Sequence, residues 1–593
     1  MIDVTVELKE FSAVKTRRSY WEPLWELIGR FIFQRKQGFT STTTPGPFYE
    51  HEDVYDNTAG RAHKTAVSAI DGALWKDNGR TFRIKPPRQA SNRKEIKEFY
   101  EEVNARILEH IEHEKAAFGT ARMEALAEVT AFGTDAIGVF KSKKGSKHKV
   151  EYRALPLKNL YVVEDARGYV TKEYYEFQYT AFQLVEEYGE VARTEKVKAL
   201  LERGDYDTKL KVLWVVKPNP QGKEDALRSE EYPYLSGHIL EDESLLLKES
   251  GYKGNPIIVS RLYKNEGEEY GRGMGGDALS PAMELNAVIE LLTKGGELTV
   301  FPSWYVLDDG TFGNGTINRS AGGVIPIDVT SSRITGMAPI GPIGSVGSLA
   351  PFVQFVEWLT TEIDGHFLVD KLTDLNNRTR MTLGEAQIRN ELSSDLKGAI
   401  FGRQINEKLV PVIRRTINIL SEEGVLGVRP QSQEFQEALN SKRDVLMIPE
   451  ELLDLQDAGV EIYQIEFISP ASRILRSEEV RGMISVCQFA FSSAAAKPEW
   501  LLWLNDEEIM PLARDLYGAS PKMLVSLEDF RSRLNDYNNA KSSQAQIQSA
   551  AVAADIQTKT ASANQQNAQA EATRGGMNGM LNGGGSGYSE MMM

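Results

Sequence analysis

Apolar side chains recur at helical spacing in several long stretches of this chain. Trp21, Leu24, Trp25, Ile28, Phe31 and Ile32 share one face of a helix predicted from Ser19 to Gln34, and Pro23 requires that the helix begin close to it. A loop rich in Thr, Pro and Gly follows from Gly38 to Tyr49. Ala59, Ala62, Ala66 and Ala73 line one side of a helix over Asp56 to Trp75, where small side chains permit close packing. Ile96, Phe99, Val103, Ile107 and Ile111 form the inward stripe of one long helix predicted from Arg93 to Phe132. The pattern then becomes that of strands, rich in β-branched and aromatic residues, at Ala136–Phe140, Val150–Ala154, Leu160–Val163, Tyr169–Gln178, Lys211–Lys217 and Ile257–Tyr263. A short helix from Thr180 to Tyr188, capped by Thr180, interrupts them.

The run from Tyr270 to Leu420 is the most informative. Gly271, Gly273, Gly275 and Gly276 precede a helix for which Ser280 is the expected N-cap and Pro281 the first helical residue, with Met283, Ala287 and Leu291 along its stripe. A β insertion is expected over Leu298 to Met337, with turns at Asp308-Asp309-Gly310, Gly313-Asn314-Gly315 and Gly322-Gly323. Pro339 to Leu349, with Gly341 and Pro342, reads as a hinge into a second helix. A polar loop from Lys371 to Arg380 follows, and the capping box Thr382-Leu383-Gly384-Glu385 opens a very long helix. Its stripe runs through Ile388, Leu392, Leu396, Ile400, Ile405, Leu409 and Val412, and Pro411 must kink or split it. Leu446–Phe467 is mixed and Ser477–Leu516 helical, and beyond Asn538 the chain turns to Ala, Gln, Ser and Asn. Such a tail cannot build a core, so it is either disordered or a helix ordered against identical neighbours. The expected fold class is α+β, mainly helical.

A length of 593 residues implies two to four domains. No apolar run reaches the roughly 18 residues of a membrane span, and Met1 to Glu7 carry no signal-peptide pattern. The single Cys487 excludes a disulfide framework within the chain and suits synthesis in a reducing cytoplasm. A net charge of -15 disfavours tight, nonspecific binding to nucleic acid.

Candidate chemistry is sparse. Gly271, Gly273 and Gly276 satisfy G-x-G-x-x-G, but no βαβ unit surrounds them, and a flexible hinge at the start of a helix is the better reading than a dinucleotide site. His110 and His113 stand three apart on a helix without H-E-x-x-H or a distant ligand cluster, so a solvated face outweighs a metal site. Cys487 lies in an apolar run and reads as core. Neither a Walker A loop nor a G-x-S-x-G elbow is present. Lys141 to Lys149 is the one strong basic run, read as a solvated β-turn first and as a contact for nucleic acid or an acidic partner second. Neither catalytic residues, a metal nor a cofactor is expected.

At these residues the chain resembles the portal, or head-to-tail connector, family of short-tailed double-stranded-DNA phages. The matching segments are Arg17-Arg18 to Trp25, Tyr55-Asp56-Asn57-Thr58-Ala59, Phe132-Gly133-Thr134, and Pro156-Leu157 with Leu160-Tyr161. They continue through Thr180-Ala181-Phe182-Gln183-Leu184, Pro256 with Arg261, Tyr270-Gly271-Arg272-Gly273, and Arg380-Met381-Thr382 with Glu385. Their order and spacing over residues 15–425 make the match specific where each alone is weak.

The resemblance implies a wing over residues 1–270, a first stem helix over 271–294, a β-rich clip over 295–345 and a second stem helix over 346–367. It implies a tunnel loop over 368–381, a long kinked helix over 382–424, a return to the wing over 425–480, crown helices over 481–540 and a tail over 541–593. Lys371, Asn376, Asn377, Arg378 and Arg380 would face DNA in the channel, while Gly271, Gly273, Gly276, Pro281, Gly341, Pro342 and Pro411 would shape the stem and its hinges. The implied partners are further copies of the chain in a ring of about twelve, and double-stranded DNA without sequence preference. Others are the major capsid protein and scaffold, the terminase large subunit, tail adaptor or tail-tube proteins and internal core proteins. No membrane is implied. Twelve helices abreast at about 8–10 Å make a ring about 31–38 Å across, which leaves about 21–28 Å once one helix diameter is removed, enough for a duplex. Two rivals remain: another oligomeric virion component, such as an internal core or tail-tube protein, and a nucleotide-binding enzyme.

Overall fold

The computed structural model describes residues 2–34, 53–75, 81–87, 89–90, 93–143, 146, 148–223, 228–302, 304–308, 324–328, 340–342, 350–369, 400–429, 446–468, 477–493, 504–505, 509–510, 525 and 527–581. They belong to two compact units, Met1–Glu478 and Glu479–Met593. Lys371, Asn376, Asn377, Arg378, Arg380 and the Thr382–Glu385 box lie outside the described residues.

The first unit begins with a helix absent from the sequence expectations, α1 (Val4–Arg18), capped by Asp3, whose carboxylate accepts from the backbone N–H of Thr5 at 3.0 Å. The expected Trp-rich helix is α2 (Glu22–Phe31), with Pro23 in its first turn where no backbone donor is needed. α3 (Thr58–Leu74) buries Ala59, Ala62 and Ala66 as its spacing requires. After β1 (Phe82–Lys85), the single helix expected over Arg93–Phe132 is two, α4 (Lys94–Glu112) and α5 (Phe118–Phe132). A 3₁₀ turn at Glu114–Ala116 and a left-handed Ala117 with φ of 56° separate them, a conformation that cannot continue a helix.

Strands follow as β2 (Thr134–Lys141), β3 (Val150–Ala154), β4 (Leu160–Glu164) and β5 (Val170–Thr180). α6 (Ala181–Tyr188) opens on the capping box in which Thr180 and Gln183 exchange hydrogen bonds, and α7 (Glu195–Glu202) follows it. β6 (Lys209–Pro218), β7 (Tyr234–Leu240) and β8 (Leu245–Tyr252) complete a five-stranded antiparallel sheet in the order β4-β5-β6-β7-β8. β9 (Ile257–Arg261) returns to β2, giving the order β3-β2-β9. α1 lies on the larger sheet through Phe11 and Val14 against Tyr161, Tyr174 and Leu213. Its buried Glu7 is held by Lys172 and Lys217, each at 2.7 Å.

α8 (Met274–Val300) starts two turns before the expected position: Gly273 is its N-cap and Pro281 lies inside it. Ser280 and Pro281 therefore do not open the helix; the missing Pro281 N–H instead leaves the Asp277 carbonyl without its usual partner. β10 (Trp304–Asp308), β11 (Val324–Asp328) and β12 (Ile340–Pro342) form a small sheet, with β10 parallel to β11 and antiparallel to β12. Gly341 and Pro342 thus sit in a strand, opposite Tyr305 and Trp304, where a hinge was expected. α9 (Ala350–His366) packs back on α8. From residue 400 the chain is helical again, passes through a π turn at Ile405–Leu409 and continues as α10 (Val410–Glu422), which carries Pro411 in its first turn. The wider π register occurs just where the proline withholds a donor, so the chain passes Pro411 as a split between two helical registers. α11 (Glu450–Asp457) leads to β13 (Gln464–Phe467), which pairs with β1.

The second unit holds most of α12 (Ser477–Ser493), where Cys487 is half-buried, and α13 (Leu527–Leu581). α13 is 55 residues long, and every side chain from Arg531 to Glu571 is exposed.

One buried carboxyl makes stability pH-dependent. Glu173 on β5 is 1% exposed, accepts from Asn255 Nδ2 at 2.7 Å, and burial pushes its pKa up to about 8. Because the folded value exceeds the unfolded one, its favourable contribution is complete below the ordinary carboxylate range and declines, by about 1.4 kcal/mol per pH unit at most, until the pH passes 8. Glu173→Gln should match the parent in denaturant unfolding at pH 5 and exceed it at pH 9. Equal stability at pH 9 would refute the buried, protonated carboxyl.

Candidate functional site at the root of the paired helices

The site is the place where α8 leaves the body of the first unit, and the π turn before α10 seats on the neighbouring residues of β2 and β9. It rests on a backbone crossing. Gly133 ends α5 with φ of 93°, a left-handed position that suits glycine. The segment 271–275 runs over it so closely that a Cβ on Gly273 would stand 2.6 Å from the Ala131 carbonyl oxygen, and one on Gly275 2.5 Å from the same atom. Gly271 N–H donates to Thr134 Oγ1 at 2.8 Å. Close approach, not freedom to bend, explains Gly271 and Gly273; only Gly276 has open space around it. The hinge expected here is a clamp.

Aromatic and charged side chains lock the crossing. Tyr270 is fully buried edge-on to Trp25, with ring centroids 5.1 Å apart. Arg18, 1% exposed, lies 4.1 Å over the Tyr161 ring and donates to the Leu160 carbonyl at 2.7 Å. Asn286, buried near the middle of α8, accepts from Tyr55 N–H at 2.7 Å and donates to the Asp53 carbonyl at 2.9 Å. Of the segments that carried the family resemblance, Arg18–Trp25, Tyr55, Gly133-Thr134, Leu160-Tyr161, Arg261 and Tyr270–Gly273 meet around this junction, whereas Ala181 and Leu184 pack in a separate core with β6 and β7, and Arg380–Thr382 with Glu385 lie outside the described residues.

A polar cluster seats the start of α10. Lys408, in the π turn, is ion-paired with Asp135 on β2, and the two are 1% and 0% exposed at their side chains. Ser260 Oγ donates to Asp135 at 2.5 Å, Gln404 Nε2 donates to the Arg261 carbonyl at 3.2 Å, and Arg261 pairs with both Glu164 and Glu407. Burial pushes the Asp135 carboxyl up, and Lys408 and Ser260 pull it part of the way back. Sequence reading missed Asp135, Asn286, Gln404 and Lys408. The available signal was a lysine on the apolar stripe of a long helix, between Ile405 and Val412.

Beyond the junction the paired helices run uncovered. Burial along α8 ends at Val288, and along α9 it begins only at Leu359. Leu291, Val300, Phe301, Phe352, Val353 and Trp358 are 43–70% exposed on the outer halves. The basic run is less available than its charge suggests, since Lys141 and Lys149 both pair with Glu423 at the end of α10. His113 stacks on His148 with centroids 5.0 Å apart. Among the described residues no group of three or more His, Cys, Asp or Glu side chains is placed to hold a metal, and no helix is long and apolar enough to cross a membrane.

The family described as bacteriophage head to tail connecting protein matches residues 7–524. The chain belongs to that family. Its task is structural, joining a phage head to a tail. The portal protein of Salmonella phage epsilon15 is 23% identical to this connector over 527 residues, covering 88% of each chain. The probable portal protein of Bordetella phage BPP-1 is 22% identical over 537 residues, covering 87% of this connector and 88% of its own length. A chain from the neck of an empty GTA particle, computed with C6 symmetry, aligns over 79% of this connector and 91% of itself at 11% identity, but the TM-score of 0.31 carries no argument about shape.

The Lys408–Asp135 pair fixes how α10 seats. Lys408→Met leaves a buried carboxylate unpaired and should lower stability by about 3–5 kcal/mol. Adding Asp135→Asn should recover at least half of that loss in denaturant unfolding. Losses that simply add would refute a direct pair.

Proposed function

We propose that this connector is a portal protein, forming the ring at one capsid vertex through which the genome enters and leaves. The observation that carries the reading is the uncovered apolar length of the α8–α9 pair. Leu291, Phe301, Val353 and Trp358 are too exposed for a lone subunit in water, and identical neighbours packed side by side around a ring cover them without changing the fold. The 22–23% identity to portal proteins across most of the chain supports the same reading.

In this reading α8 and α9 are the stem, the small β10–β12 sheet belongs to the clip, and residues 368–381 form the tunnel loop. Lys371, Arg378 and Arg380, with Asn376 and Asn377, form sparse rings facing DNA. Each phosphate neutralised adds about -0.9 to the salt slope of binding, so a few cations in a chain of net charge -15 centre the duplex without gripping it. About twelve copies make a channel of duplex width. The ring sits in the virion at the junction of head and tail, contacting major capsid protein, scaffold and internal core on one side. On the other it receives the terminase large subunit during packaging, then tail adaptor or tail-tube proteins. ATP hydrolysis belongs to the terminase.

Electron microscopy of the purified chain, with native mass spectrometry, should show rings with a central hole and about twelve copies. Leu291→Asp with Trp358→Asp should abolish rings and leave the far-ultraviolet circular dichroism and melting of the monomer unchanged. Rings that persist in the double variant would overturn the stem-packing reading.

A further inference from the structure

A cavity of about 450 Å³ lies between the π turn with α10 and the strands β5, β7 and β9, with the Lys253–Asn255 turn after β8 at its wall. Its charged lining is unbalanced: Lys253, Arg261, Arg414 and Arg415 face it, against Glu173 and Glu407. Arg261 and Glu407 are committed to each other. Arg414 meets Glu461 at 3.5 Å, with both side chains more than half exposed, a contact that water largely screens. Glu173 is neutral around pH 7, since burial holds its proton.

Arg415 is the anomaly. It is 6% exposed, and its Nε and Nη1 have no hydrogen-bond partner among the described residues. The Glu422 carboxylate and the Tyr252 ring, 5.7 Å away, offset part of its buried charge without a hydrogen bond to either nitrogen. A buried guanidinium with two of its three nitrogens lacking a hydrogen bond costs free energy that native folds rarely carry without a use. Gly254 stands against it: the point a Cβ would occupy is 3.6 Å from Arg415 Nη1 and 3.2 Å from the side-chain amide nitrogen of Asn418. Two nitrogen donors thus converge over a bare stretch of backbone, at the wall of the cavity.

We propose that Arg415, Asn418 and Lys253, assisted by Arg414, form a binding site for a phosphate group. The guanidinium fork matches two oxygens of a tetrahedral oxyanion, and the three cations left over, Lys253, Arg414 and Arg415, suit a dianion better than a single carboxylate. The anion is held from the cavity side, where Lys253, Arg414, Arg415 and Asn418 all line the wall. The site accepts free inorganic phosphate or the phosphate of a small nucleotide, and it is independent of the apolar contacts proposed for the ring.

Isothermal titration of the full chain with sodium phosphate, at pH 7 and constant ionic strength, tests this against a sodium chloride blank. One saturable site per chain with Kd below about 1 mM is expected. Arg415→Met should abolish the binding heat, and Lys253→Gln should weaken binding about tenfold with melting unchanged. Arg415→Met should also melt at or above the parent when no anion is present, since it removes an unpaired buried charge; a merely structural arginine gives the reverse. A parallel titration with AMP separates the sources: tighter binding than phosphate by tenfold assigns a nucleotide, and equal or weaker binding assigns the free anion. No heat beyond the chloride blank, or unchanged Kd in both variants, overturns the site.

Discussion

The contact between the backbone of residues 271–275 and that of Ala131–Gly133 governs everything placed beyond it. Main chain touching main chain admits no side chain at Gly133, Gly273 or Gly275, so the start of α8 is set by the end of α5 to within the tolerance of atomic packing. α8 then carries the β10–β12 strands at its far end, and α9 returns from them to the same body. A small rotation at the root would be multiplied along a helix of 27 residues, about 40 Å. The clamp, Trp25 against Tyr270 and Asn286 across to residues 53–56 all oppose such a rotation. Among the described residues of the first unit, α8 is free of these restraints past Val288, where side-chain burial along it ends.

Charges inside the first unit serve position more than cohesion. Glu7 and Asp135 show how environment decides. Burial alone would raise both carboxyls, but Glu7 has Lys172, Lys217 and the Tyr174 hydroxyl within 3.0 Å, and it ends below its ordinary value. Asp135 has one lysine in a fully enclosed setting, and it ends above. Replacing a buried pair by apolar side chains often costs nothing, so the Lys408–Asp135 pair is better understood as a register device. A helix sliding by one residue past β2 would strand both charges, whereas an all-apolar seam would tolerate the slip.

Local rules were legible in the sequence and tertiary demands were not. The Thr180 cap, the α3 alanines and the α2 stripe depend on spacing within one or two turns, and each appears where spacing put it. The break at Ala117 does not, because the apolar stripe before it gives no sign that the chain must turn to bring α5 under β2 and β3. β7 and β8 escaped because Gly237, Gly251 and several polar residues dilute their alternation. The structure shows the purpose at Gly237, where a Cβ would meet Ile2 Cδ1 at 2.5 Å, so the glycine makes room for the start of α1. Pro281 misled because proline favours the first turn of a helix, yet α8 begins earlier to carry Gly273 and Gly275 across Ala131. At the junction itself, the glycines were visible as a motif, but their partner Gly133 lies some 140 positions away along the chain, a pairing that no local pattern encodes.

A subunit of this kind is thermodynamically incomplete by construction. Its body satisfies its own core, with Trp25, Tyr270, Phe132 and Phe367 fully enclosed, yet the outer halves of α8 and α9 hold large apolar side chains in water. Those residues add nothing to the stability of one copy, and at about 25 cal/mol per Å² of apolar surface covered they reward association instead. α13 poses the same question with the opposite composition. A helix whose long central run is exposed and dominated by Ala, Gln and Ser gains almost nothing from burial in a single chain, and propensity alone makes isolated helices marginal in water. Assembly stabilises the apolar pair by removing water from it. A polar helix can gain only by hydrogen bonding and close contact with a neighbour, so in the proposed ring the apolar α8–α9 pair, not α13, carries the driving force.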